Sequence, residues 1–122
     1  MGSSPSTAEL QELVRLPDET TRTRGCFLLH IRPELLAEYV EVHQRVWPEM
    51  LDALRETGWR NYSLFLRPED GLVVGYFEAE NAAATQQLMD AHPVNTRWQS
   101  EMARYFVEGT SPRTLTQYFH LS

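Results

Sequence analysis

Lysine is missing from this chain: all 11 basic residues are arginine. A Schiff base through a lysine, including pyridoxal phosphate held that way, is therefore excluded. The single cysteine, Cys26, rules out an intramolecular disulfide and a thiolate metal cluster. Within its apolar run it reads as a small buried hydrophobe. Basic charge is in deficit, 11 residues against 17 acidic ones for a net charge of −6. Nucleic acid and anionic membrane surfaces need a basic footprint, so neither is expected as a partner. No apolar run reaches the roughly 18 residues of a membrane span, and the first residues carry no signal-type apolar core. A cytoplasmic location is the expectation. His30, His43, His92 and His120 show no metal-binding spacing, and Gly58, Gly71 and Gly75 form no phosphate-cradling loop.

What remains is a 122-residue chain, 42% hydrophobic, with enough length for one core. Residues 1–23 stand apart as an N-terminal arm, partly disordered or forming one short helix. Leu10, Leu13, Val14 and Leu16 lie near helical spacing before Pro17, and either a docking helix or a mobile arm fits them. The domain proper is expected over residues 24–122. Cys26–Ile31 suits a buried strand, and Glu34–Thr57 a long helix entered through Pro33, kinked at Pro48 and closed by Gly58. Trp59–Arg67 alternates as a strand. Arg67–Gly71 supplies turn chemistry for a hairpin into Leu72–Glu78. Asn81 suits the N-cap of a helix ending near Asp90. Pro93 separates that helix from another over Val94–Phe106, and Thr114–Leu121 reads as the last strand. The order β-α-β-β-α-α-β is the split βαβ, ferredoxin-like α+β pattern with a four-stranded antiparallel sheet. Helices on one sheet face leave the other bare, and two such sheets commonly pack as a homodimer.

The chemistry concentrates on the long helix. Tyr39, His43 and Trp47 are four apart, so they stack along one helix face. A phenol, an imidazole and an indole in a row can hold a polar ring and exchange a proton with it. Histidine is suited to that exchange because its reference pKa lies near 6.5. The plainer reading of Trp47 and Pro48 is scaffold: an anchor and a kink. Trp59 reads as core or interface, and Trp98 as either core or pocket wall.

Four groups of residues resemble the L-rhamnose mutarotase family over about Arg24 to Leu121. They are Glu38-Tyr39 followed by His43 and Trp47-Pro48-Glu49; Arg60-Asn61-Tyr62; Arg97-Trp98; and the ending Leu115-Thr116-Gln117-Tyr118-Phe119-His120-Leu121. The resemblance implies a dimeric ferredoxin-like α/β barrel that interconverts the anomers of a 6-deoxy sugar without metal or organic cofactor. By the same resemblance, the catalytic histidine falls on His43, to which the chemistry of ring opening assigns the proton donor's role, and the sugar-contacting tyrosines on Tyr39 and Tyr62. Its two consecutive pocket tryptophans fall on Trp98 and Gln99. At Gln99 the chain departs from the family: an amide can hydrogen-bond but cannot stack on a sugar's C–H face. The arm of residues 1–23 is a second departure. A recruited tailoring enzyme of cyclase or small-monooxygenase type, acting on an aromatic or enolisable substrate, is the alternative that this fold equally hosts.

Overall fold

Most element boundaries fall at residues whose covalent chemistry dictates them. The computed structural model describes residues 4–122. The arm holds two short helices, α1 (Thr7–Leu13) and α2 (Asp18–Arg22), separated at Pro17. The expectation of a disordered start falls partly on residues 1–3, outside the described residues. Strand β1 (Arg24–His30) follows, then a 3₁₀ turn (Pro33–Leu35) and α3 (Leu36–His43).

The single kinked helix expected over Glu34–Thr57 is instead two helices. Proline disfavours the helical region for the residue before it. Trp47 is accordingly extended (φ −54°, ψ 136°), and Pro48 opens a new helix, α4 (Pro48–Glu56), as its first residue. Gly58, at φ 101°, ends α4 with the Trp59 N–H donating to the Leu54 carbonyl at 2.9 Å. Strands β2 (Arg60–Arg67) and β3 (Leu72–Glu78) form the hairpin, closed by an Arg67–Asp70 ion pair and by Gly71 at φ 76°. Asn81 caps α5 (Ala82–Asp90) through its side chain. His92 does the same for α6 (Pro93–Met102), its Nδ1 accepting from the Val94 N–H. The expected run to Phe106 stops earlier, because Ala103–Tyr105 tightens into a 3₁₀ turn and Phe106 is extended.

The sheet is antiparallel in the order β2-β3-β1-β4, the ferredoxin-like arrangement expected. Its inner face, under the helices, carries Phe27 and Leu29 of β1 with Val73 and Phe77 of β3. Phe27 pairs with Gly75 and Gly25 with Phe77. Each ring lies over the facing glycine, where a Cβ would collide with it. The outer face shows the row Leu28, Val74, Phe65, with Phe65 62% exposed.

The last strand is much shorter than expected. β4 is only Arg113–Thr114, paired with Leu28 and Phe27, and one more bond joins the Leu115 N–H to the Cys26 carbonyl. In this register the first residue of β1, Arg24, falls opposite Gln117, so a strand reaching Leu121 would outrun its partner. The tail leaves the sheet with Tyr118, Phe119 and Leu121 exposed.

Candidate active site

A cavity of about 590 Å³ lies between the inner sheet face and the helices. That is an ordinary size for a small-ligand site. On α3, Tyr39 and His43 sit one turn apart with ring centroids 4.3 Å from each other. His43 Nδ1 lies 2.9 Å from the Tyr39 carbonyl oxygen. A carbonyl can only accept, so Nδ1 carries the hydrogen and Nε2 is the nitrogen left to exchange a proton. Among the described residues Nε2 has no protein partner. Tyr39 is 5% exposed, and burial pushes its phenol up to about 12. Burial also pushes Tyr62 well above the usual phenol range, with the nearby Tyr39 adding to the rise. Both are neutral hydrogen-bonding groups near neutral pH.

Tyr62 reaches the cavity from β2, beside a bulge. Arg60 pairs with Glu78 but Ser63 with Tyr76, so one extra residue is taken up between them. Asn61 absorbs it at φ 47°, the only positive φ outside glycine among the described residues, and donates to Glu78 at 3.2 Å. Side chains three apart in a regular strand point to opposite faces. The bulge lets Trp59 and Tyr62 share one, with ring centroids 4.8 Å apart and both on the cavity wall. Trp59, expected as core or interface, stacks on Phe77 at 3.9 Å.

The opposite wall comes from α6 and α5. Asn95, Trp98, Gln99 and Met102 follow three- and four-residue steps on one face of α6, as Gln86, Met89 and Asp90 do on α5. Trp98 is both core and wall: it is 5% exposed, meets the His43 ring edge-on at 5.5 Å and that of Trp47 at 5.0 Å. Trp47 is not on the cavity wall itself but backs Trp98 from the link before α4, with the Arg97 guanidinium 5.7 Å from its ring centroid.

The structure thus brings Tyr39, His43, Tyr62, Trp98 and Gln99 onto one cavity. It does not keep Trp47 on the same helix face as Tyr39 and His43, because the chain breaks before Pro48. Sequence reasoning missed Gln44, Gln86, Asp90 and Asn95. Their only signal was helical spacing from other lining residues, which a solvated face shares. Among the described residues no three His, Cys, Asp or Glu side chains gather to hold a metal ion. No described helix is long and apolar enough to cross a membrane.

Fold and cavity define a ferredoxin-like α+β domain with a cavity of small-ligand size between its sheet and its helices. Comparison with known proteins narrows this class. The profile of the L-rhamnose mutarotase family matches residues 24–121, and the chain belongs to that family, isomerases acting on the anomeric carbon. The L-rhamnose mutarotase of Flavobacterium johnsoniae is 30% identical over 102 residues, covering 80% of this chain and 94% of that one. That of Enterococcus faecalis is 37% identical over 79 residues, 65% of this chain and 76% of its own. Among solved structures, the L-rhamnose mutarotase from Formosa agariphila superposes with TM-score 0.69 at 19% identity, covering 81% of this chain and 98% of that one. The monooxygenase from the gene ActVA-Orf6 of Streptomyces coelicolor gives 0.61 at 14% identity, covering 86% and 93%. At such identities the structures speak for the fold alone.

Proposed function

We propose that this chain interconverts the α and β anomers of L-rhamnose or a related 6-deoxy pyranose, with His43 as the proton donor. The observation that carries the reading is the His43 imidazole on the cavity wall, tied by Nδ1–H to a backbone carbonyl and with Nε2 left without a protein partner among the described residues. Protonated Nε2 gives its proton to the ring oxygen as the C1–O5 bond breaks. The anomeric hydroxyl proton leaves through a tyrosine hydroxyl to solvent, and C1 becomes an aldehyde. After rotation about C1–C2, the steps reverse on the other face. Neutral Tyr39 and Tyr62 orient hydroxyls and relay protons, while the Trp98 indole covers an apolar sugar face.

NMR exchange between the anomers of L-rhamnose, with and without the protein, tests this directly. Acceleration that disappears in His43→Ala is expected. No acceleration over a panel of 6-deoxy sugars would remove the mutarotase reading. Acceleration surviving His43→Ala would mean that the acid lies elsewhere.

The same reading makes residues 1–23 an appendage to a domain of residues 24–122 in a cytoplasmic homodimer. The apolar outer row Leu28, Val74, Phe65 supports self-association. So does a solved neighbour described as a dimeric ferredoxin-like protein, TM-score 0.52 at 12% identity. Light scattering should give twice the chain mass, and Phe65→Glu should halve it; a monomeric wild type would remove this part.

A further inference from the structure

Among the described residues, Trp59 Nε1 is the one buried side-chain nitrogen that no acceptor meets. The indole lies on the cavity wall beside Tyr62 and rests on Phe77, 3.9 Å away with 25° between the ring planes. That stack asks only for a flat ring, and phenylalanine would supply one. Tryptophan adds a group that can only donate. Shut off from water and left without an acceptor, the N–H makes the unliganded fold less stable than its packing alone would. Its placement is held by several features at once. Gly58, at φ 101°, ends α4 immediately before it, and the Asn61 bulge turns Trp59 and Tyr62 to one sheet face. Gly25 leaves the space that the Phe77 ring beneath it fills.

A buried donor on the wall of a ligand-sized cavity is completed by an oxygen of whatever fills that cavity. We infer that Trp59 is a substrate-binding residue, its Nε1–H donating to an oxygen of the sugar that His43 opens. This rests on the mutarotase reading above, and the resemblance assigns Trp59 no role. Tyr62, the ring beside it, borders the open space of the cavity and so has room to turn aside as the oxygen enters. The donor exacts its cost in the empty protein and is relieved only when substrate is bound. A site with such a group also rejects a ligand that brings it no acceptor.

Nitrogen-15 NMR reads this donor directly. The three tryptophans give three indole N–H signals, and Trp59→Phe identifies one of them by its loss. Titration with L-rhamnose should move the Trp59 signal downfield, as its hydrogen gains an acceptor. Trp59→Phe keeps a ring on Phe77 and should raise KM for anomer exchange about tenfold with kcat little changed, the scale of one lost hydrogen bond between neutral groups. A purely packing role would lower the melting temperature and leave the signal and KM where they were, which overturns the inference. Anomer exchange accelerated while the Trp59 signal stays in place also overturns it and leaves the mutarotase reading standing. A signal that moves without accelerated exchange supports the donor and removes the mutarotase. Neither a moved signal nor accelerated exchange overturns both.

Discussion

The two walls of the cavity are built by different physics. On the α3–β2 side, the aromatic rings are held by contacts within the protein, although His43 Nε2 and the buried Trp59 Nε1 have no hydrogen-bond partner among the described residues. A carbonyl fixes the His43 tautomer, burial raises the pKa of the already neutral Tyr39 phenol further, and a bulge gives Trp59 and Tyr62 a common face. On the α5–α6 side, Asn95, Gln99 and Asp90 retain unanswered polar atoms. The first wall is thus built mainly of packed aromatic rings, and the second of amide and carboxylate side chains. Trp98 joins them, touching His43 from the second wall.

That contrast can be broken by substitution. His43→Ala should cost about 10²–10⁴-fold in anomer exchange, the usual worth of one positioned acid, with little change in melting temperature. Trp98→Ala strikes the joint and should destabilise by about 3–5 kcal/mol, read from a denaturant midpoint; Trp98→Phe should fold and raise KM. Tyr39 links site to stability through pH. Its folded pKa lies above its unfolded value of about 10, so the stability tied to the neutral phenol is complete below pH 10 and lost as pH rises toward about 12. Tyr39→Phe should flatten that alkaline loss by about 2–3 kcal/mol in denaturation measured from pH 8 to 12. Asn61→Val should cost about 1–2 kcal/mol for a β-branched residue at positive φ, whereas Asn61→Gly should be nearly neutral. On the second wall, Gln99→Leu should change stability by less than about 0.5 kcal/mol. Equal stability losses from Gln99→Leu and Asn61→Val would erase the distinction between the walls.

The same division explains what could be read from the sequence. Gly58, Asn81 and Pro93 mark boundaries through their own backbone or side-chain chemistry, so neighbours far along the chain are not needed to interpret them. Tyr39 and His43 were legible because four-residue spacing fixes their adjacency on any helix. Pro48 was read as a kink because residue type shows that a helix is disturbed but not whether it resumes its axis. The final strand was overextended because strand length depends on how far the partner runs, and β1 begins only at Arg24. Asn95 and Asp90 carry no signal of their own in the sequence, because only the packing of α5 and α6 over the sheet turns them toward the cavity. The bulge at Asn61 was invisible for a related reason: it exists only as a mismatch in count between β2 and β3.

That mismatch makes Asn61 a unit of spare length. With it removed, Arg60 and Tyr62 become consecutive residues facing Glu78 and Phe77, and the alternation from Trp59 onward is regular without any left-handed residue. A one-residue deletion at this point leaves both aromatic rings on the cavity side, whereas the same deletion at Ser63 shifts Tyr62 or the rest of the strand onto the wrong face. Within the α3–β2 wall, the chain can therefore shorten at one place and not at its near neighbour.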